Sequence, residues 1–268
     1  FCGVRFMAET AKLLNPSKTV LIPSLKAGCS LAASITAEDV RNLRKQFPGV
    51  PVVTYVNTYA DVKAESDICC TSGNAIAVVE SLHAETVIFL PDEYLAGNVA
   101  KETGKHIIFP TKNPKATYAD LDYQMIGWHG RCEVHEKFTV QDIRNVREQF
   151  PDVVILSHPE CSPEVVTASD FSGSTTAMIK YVEQTHAPRY LLLTECSMGD
   201  NIMAANPDKE MLRLCSVRCP HMNQITLEDT REALLKTQYV VEVPADIRER
   251  AARAVQRMIQ IGGVGKKD

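Results

Sequence analysis

The sequence has no long apolar run and no excess of positive charge. Its 268 residues include 29 Lys and Arg against 33 Asp and Glu, a net charge of −4, whereas nucleic-acid binders normally carry a basic patch. The longest apolar runs have the length of a strand, far short of the roughly 20 residues that span a bilayer. We therefore expect no nucleic-acid partner and no membrane span, but a folded protein that acts on small molecules.

The chain also lacks the features of a secreted, disulfide-stapled module. Nine cysteines are an odd number, and the chain is far longer than such modules usually are. This composition predicts a reducing, cytoplasmic compartment in which some thiols bind metal. Neither an initiator Met nor a signal peptide precedes Phe1, which predicts that the chain was cut from a longer one.

A threefold internal repeat organises the sequence. The segment Thr36 to Pro48 closely matches Thr139 to Pro151, and a fainter copy runs from Thr226 to Leu235. Each copy opens with a Thr-x-x-Asp pattern, which is typical of a capping box at the start of a helix.

Short β-branched runs between the helical stretches predict strands. The runs that follow the three repeat helices favour buried parallel strands, and their alternation with helices indicates α/β architecture. The expected strands are 19–22, 50–56, 86–90, 106–109, 153–156, 190–193 and 239–243.

Three cysteines share one position in the repeat. Cys29, Cys132 and Cys219 each stand seven residues before a capping Thr. If three similar αβα units pack around a pseudo-threefold axis, these positions converge on it. Three thiolates without a fourth ligand suit a [4Fe-4S] cluster with one open iron better than a structural zinc ion. Cys215 is a rival to Cys219 for the third position.

Polar residues follow the strands at the edge where α/β sheets bind ligands. Tyr55 and Asn57 follow one strand, and His158 and Glu160 follow another, where an imidazole beside a carboxylate suits proton transfer. Two Ser-Gly pairs stand at predicted helix starts, where hydroxyls and free amides bind carboxylate or phosphate. The hydroxyl residues singled out there are Ser72, Ser174 and Thr175.

Seven stretches of the chain together resemble the quinolinate synthase family. They run in the family's order along the whole chain: 1–9, 27–31, 55–58, 89–92, 158–161, 172–175 and 219–222. The resemblance implies three αβα domains around a pseudo-threefold axis with the active site at the centre. The implied domains are 1–31 with 220–268, then 32–118, then 119–219.

The resemblance also implies an activity and the residues that perform it. The family condenses iminoaspartate, supplied by an aspartate-oxidising enzyme, with dihydroxyacetone phosphate to quinolinate, phosphate and water in NAD biosynthesis. A [4Fe-4S] cluster would be held by Cys29, Cys132 and Cys219. The catalytic residues would be Tyr55, His158 and Glu160, and the substrate contacts would be Asn57, Ser72, Ser174 and Thr175. A further N-terminal strand with a His and a Tyr, and a Ser loop, are expected to complete the site.

Two other functions remain open from the residues alone. The three thiolates would also suit a non-catalytic iron-sulfur sensor, in which case His158 and Glu160 would have no purpose. Cys161 with His158 would suit a metal-independent hydrolase, although residues three apart beside a proline face each other poorly.

Overall fold

The computed structural model describes residues 1–111, 118, 121–212, 214 and 217–262. These residues form two compact units, of which the first comprises Phe1–Gly130 with Pro220–Asp268 and the second comprises Arg131–Cys219. Within the described residues, no helix is both long and apolar enough to cross a membrane. The predicted division into three domains stays a prediction.

Helices and strands alternate along the described chain. The helices are α1 (Arg5–Leu14), α2 (Ser30–Ala33), α3 (Ala37–Gln46), α4 (Ala60–Ala64), α5 (Ala75–Ser81), α6 (Glu93–Thr103), α7 (Val140–Gln149), α8 (Pro163–Ala168), α9 (Thr175–Gln184), α10 (Ser197–Ala205), α11 (Leu227–Lys236) and α12 (Ala245–Ile261). The strands are β1 (Val52–Tyr55), β2 (Ile68–Cys70), β3 (Val87–Leu90), β4 (Ile107–Ile108), β5 (Met125–Ile126), β6 (Val153–Ser157), β7 (Phe171–Ser172), β8 (Arg189–Leu193) and β9 (Glu210–Leu212).

Each unit contains one parallel sheet. The sheet of the first unit has the order β2-β1-β3-β5-β4, and that of the second has the order β7-β6-β8-β9. All strand pairs in both sheets are parallel. The central strands β1, β3 and β8 are almost wholly buried, as expected when helices cover both faces of a parallel sheet. The predicted α/β class is confirmed.

The capping boxes predicted from the repeat are all present. Thr36, Thr139 and Thr226 each accept a hydrogen bond from the amide of the Asp three residues later, and each Asp carboxylate accepts from the amide of its Thr. These boxes start α3, α7 and α11. Because both bonds join residues three apart, the local sequence suffices to specify where these helices begin.

The prediction of a parallel strand at 239–243 is wrong. Val240 instead forms an isolated antiparallel bridge with Leu21, so the expected strand at 19–22 is likewise reduced to a single bridge. Thr237 and Tyr239 have positive φ angles, 47° and 59°. Residues with positive φ lie outside the β region, so Thr237 and Tyr239 interrupt the extended backbone that a strand at 239–243 would need.

Candidate active site and metal centre

In the first unit, the carboxyl ends of β1 and β2 bring three predicted site residues to one edge of the sheet. Tyr55 lies opposite Cys70 in the parallel register, so Asn57 and Ser72 follow neighbouring strand ends. The Tyr55 side chain is only 4% exposed. These residues thus share the edge at which open α/β sheets bind ligands.

The segment Ser72-Gly73-Asn74 directly precedes α5, as expected, but Ser72 itself stands two residues before the N-cap. The N-cap of α5 is Asn74, whose side-chain oxygen accepts hydrogen bonds from the Thr71 amide (2.7 Å) and the Thr71 hydroxyl (3.0 Å). The Asn74 amide also donates to the Thr71 carbonyl over 3.2 Å, so a closed turn from Thr71 to Asn74 places Ser72 before the helix.

The loop after β1 is held by a residue that the sequence did not single out. The Thr58 hydroxyl donates to the Tyr55 carbonyl over 2.8 Å, and the ammonium of Lys63 in α4 donates to the Thr58 carbonyl. Lys63 is completely buried. Burial lowers the pKa of Lys63 to about 8, although nearby Cys69, Glu9 and Asp61 oppose this shift. Nothing in the sequence around Lys63 indicated that this lysine would be buried and would hold the loop.

Cys29, also in the first unit, is the N-cap of α2. Its sulfur accepts a hydrogen bond from the Ala32 amide over 3.5 Å. Amide donors at a helix start favour the thiolate form of a cysteine. Tyr59 lies beside it, and burial together with the charge of Cys29 raises the pKa of Tyr59.

In the second unit, β6 and β7 bring a second group of predicted residues to one edge. Ser157 lies opposite Ser172 in the parallel register. His158 and Glu160 follow β6 and are buried, 5% and 3% exposed. Ser174 follows β7 as the N-cap of α9 and accepts from the Ala177 amide over 3.3 Å, and Thr175 is the first residue of that helix.

His158 is held as a neutral imidazole with a defined tautomer. Burial lowers the pKa of His158 to about 4, with Glu160 opposing and His135 reinforcing the shift. Its Nδ1 accepts a hydrogen bond from the Glu160 amide over 3.3 Å. The proton of the neutral ring therefore resides on Nε2, which is the donor nitrogen of this tautomer.

His135 joins this group although the sequence analysis did not select it. Its Nδ1 lies 2.9 Å from Glu160 Oε2, and its Nε2 lies 3.0 Å from the hydroxyl of Thr194, which follows β8. Its ring stacks on that of His158, with centroids 4.5 Å apart. The signal available in the sequence was the Cys-x-x-His spacing of Cys132 and His135, which is common among metal ligands.

Cys132 and Cys219 both lie in the second unit. Both are half-buried and pack against the same apolar core, which includes Val134, Phe138 and Val217. The thiol of Cys132 forms a metal-capable group with His135 and Glu160, whose donor atoms all lie within 4.8 Å of one another. Cys215, the rival to Cys219, lies outside the described residues.

The remaining cysteines give little support to the hydrolase interpretation. The Cys161 thiol donates to the Leu193 carbonyl over 3.5 Å and is wholly buried, whereas a nucleophile needs access to substrate. Burial raises the pKa of Cys69 to about 11 and that of Cys70 well above its usual range. None of the eight cysteines in the described part of the chain forms a disulfide.

Comparison with known proteins gives one consistent result. The model of the quinolinate synthetase A protein family matches residues 1–260. Quinolinate synthase 2 of Mesorhizobium japonicum is 58% identical over 97% of this chain and 74% of its own length. The quinolinate synthase of Agrobacterium fabrum is 58% identical over 97% of this chain and 70% of its own length. That of Xylella fastidiosa is 56% identical over 97% of this chain and 71% of its own length.

Proposed function

Since the chain belongs to the quinolinate synthetase A family, whose model matches residues 1–260, we propose that it is a quinolinate synthase of NAD biosynthesis. It condenses iminoaspartate, delivered by an aspartate-oxidising enzyme, with dihydroxyacetone phosphate and releases quinolinate, phosphate and water. The observation that carries this proposal is the buried constellation of His135, His158 and Glu160 at the carboxyl edge of the second sheet. Such a constellation suits the repeated proton transfers that condensation and dehydration require.

Substrate binding is assigned to the residues after the strand ends. Both substrates are anions, one with two carboxylates and the other with a phosphate. The hydroxyls of Ser174 and Thr175 and the first amides of α9 suit such groups, because the helix start carries a positive partial charge. Asn57 and Ser72 supply neutral hydrogen-bond donors at the edge of the first sheet.

Proton handling is assigned to His158, Glu160 and Tyr55. The neutral His158 donates from Nε2 to a substrate oxygen or nitrogen and so stabilises negative charge that develops there. Glu160 serves as the base and takes the substrate proton on its carboxylate, which His135 orients by donating from Nδ1 to Oε2 over 2.9 Å. Tyr55 presents its phenol from a buried position at the end of β1.

The donor set of the three phased cysteines fits a [4Fe-4S] cluster. Cys29 accepts an amide hydrogen bond at a helix start, which stabilises the thiolate that a cluster needs. Cys132 and Cys219 are half-buried against one apolar core, which suits a site shielded from water yet open to a ligand. When bound, the cluster supplies an open iron that acts as a Lewis acid towards a substrate hydroxyl. That all three cysteines hold one cluster is part of the proposal.

The test measures iron and acid-labile sulfide per chain after anaerobic reconstitution. We expect about four of each in the parent and almost none in the Cys29→Ser, Cys132→Ser and Cys219→Ser variants. Cys161→Ser, which removes a buried thiol outside the trio, serves as the matched control and should keep the cluster. Loss of iron in this control, or retention in any of the three, would contradict the ligand assignment.

A second measurement separates catalysis from cluster binding. His158→Ala and Tyr55→Phe should keep their iron but lose quinolinate formation from dihydroxyacetone phosphate and enzymatically generated iminoaspartate. Full activity in either variant would remove that residue from the mechanism. Loss of iron would instead give it a structural role.

A further inference from the structure

One group of side chains that could bind a metal combines a predicted cluster thiolate with two other ligand types. Cys132, His135 and Glu160 offer a thiolate, an imidazole and a carboxylate whose donor atoms lie within 4.8 Å of one another. All three belong to the second unit. Zinc accepts all three donor types, whereas an iron-sulfur cluster takes mainly thiolates.

Two tight turns preorganise these side chains. The Glu136 amide donates to the Cys132 carbonyl over 3.0 Å, closing a turn that brings Cys132 and His135 onto the same side. Val134 and Phe138 anchor this turn in the apolar core. On the other side, the Cys161 amide donates to the His158 carbonyl over 2.9 Å, and this second turn carries Glu160.

The distances between the ligand atoms lie on both sides of those between the ligands of a tetrahedral ion. Bonds of about 2.0 to 2.3 Å place the ligand atoms of tetrahedral zinc roughly 3.4 to 3.7 Å apart. His135 Nδ1 and Glu160 Oε2 are 2.9 Å apart, and one ligand atom from each of Cys132, His135 and Glu160 lies within 4.8 Å of the other two. An ion would therefore replace the direct hydrogen bond between His135 and Glu160 after small side-chain rotations.

The surroundings orient the imidazole for this role. When Nδ1 binds a metal instead of donating to Glu160, the single proton of the neutral ring resides on Nε2, which then donates to the buried Thr194 hydroxyl over 3.0 Å. Such an outer hydrogen bond is the usual support of a metal-binding histidine. Three protein ligands leave the fourth position to water, as in catalytic zinc sites.

We propose that Cys132, His135 and Glu160 form a mononuclear site for Zn²⁺ that competes with the cluster for Cys132. Binding releases the Cys132 thiol proton to solvent and involves no change of oxidation state. The competition rests on the proposed function, whereas zinc binding by itself does not. Zinc would act as an inhibitor of cluster assembly, because Cys132 cannot serve both metals.

The first experiment titrates the full metal-free chain with Co²⁺, a spectroscopic substitute for Zn²⁺, under anaerobic conditions. We expect one equivalent with the sulfur-to-cobalt charge-transfer band of a tetrahedral thiolate site, displaced by one equivalent of Zn²⁺. Glu160→Gln and Cys132→Ser should abolish this band. Cys29→Ser and Cys219→Ser, matched thiol controls, should retain it.

Two further variants keep the test independent of any one substitution. Thr194→Val should weaken zinc binding about tenfold, the usual effect of removing an outer hydrogen bond. His135→Ala should abolish the band while far-ultraviolet circular dichroism stays that of the parent. If Cys29→Ser or Cys219→Ser abolished the band as fully as Cys132→Ser, the thiol trio would hold the ion and the proposal would be overturned.

The second experiment reconstitutes the cluster with and without one equivalent of Zn²⁺. We expect zinc to lower the iron content of the parent several-fold and to leave that of Glu160→Gln unchanged. Equal iron loss in both proteins would overturn the competition. A parent without iron even when zinc is omitted would count against the proposed function, and the cobalt titration would then decide the zinc site alone.

Discussion

The buried lysine of the first unit leads to a prediction about stability and pH. The Lys63 side chain has no exposed surface, and burial lowers its pKa from 10.5 to about 8. Between these two values the unfolded chain binds more protons than the folded one, so stability rises with pH there. Below pH 8 both states hold the proton, and the folded state bears the full cost of burying the charge.

The size of the effect follows from the pKa difference. One pKa unit corresponds to about 1.36 kcal/mol, so the free energy of unfolding should gain roughly 2.5 kcal/mol from Lys63 between pH 7 and pH 10. A Lys63→Met variant keeps the apolar stem and lacks the titrating group. The difference in unfolding free energy, parent minus variant, should therefore rise by about 2.5 kcal/mol over this range. The raised pKa values of Cys69 and Cys70 affect both proteins and largely cancel in the difference.

The assay is urea unfolding followed by tryptophan fluorescence. Trp128 is the single tryptophan of the chain, is 7% exposed and belongs to the same unit as Lys63, so its signal reports the relevant unfolding. Lys45→Met, at an exposed lysine of α3, controls for the loss of one positive charge. A parent-minus-variant difference that stayed flat or fell between pH 7 and pH 10 would refute the reasoning.

Other predictions concern local packing and capping. Gly130→Ala should destabilise the first unit by about 1 to 3 kcal/mol, because the new Cβ would clash with the Ser34 hydroxyl and lie 3.1 Å from Ser34 Cβ. Gly97→Ala, inside α6 with nothing within 4 Å of its Cβ, should instead stabilise it by about 0.5 to 1 kcal/mol. Urea unfolding by Trp128 fluorescence checks both, and equal effects would contradict the packing argument. Thr139→Ala should lower the free energy of unfolding by about 1 kcal/mol, because it removes the capping box of α7. Thr139→Ser keeps the hydroxyl and should have nearly parental stability. Circular dichroism melts compare the two variants, and equal stability of both would contradict the capping argument.

The catalytic assignments combine information of two kinds. Cys29, Cys132 and Cys219 were found from their common position in the repeat, and His158 with Glu160 from their place after a strand. These are patterns along the chain, and they need no knowledge of packing. His135 was missed because its partners Glu160 and Thr194 are 25 and 59 residues away, and no local pattern encodes such distances.

The failures in the strand prediction have a similar cause. The run at 239–243 has the β-branched composition of a strand, but the positive φ angles of Thr237 and Tyr239 and the bridge to Leu21 give it another role. A β-branched composition shows that a segment would fit into a half-buried sheet, but whether it forms a strand depends on the segments that pack beside it in the fold. β2, with its consecutive cysteines, went unrecognised for the same reason.

Features that depend on residues a few positions apart could be predicted without knowledge of the fold. The three capping boxes, the helices that they start and the strands β1, β3, β6 and β8 belong to this class, since their hydrogen bonds or apolar runs are local. The folded chain was needed to show that the buried Lys63 donates to the Thr58 carbonyl and that His135 contacts Glu160 and Thr194. Burial and convergence depend on which distant segments pack together, and that packing sets the pKa values and the metal-ligand geometry on which the proposed chemistry rests.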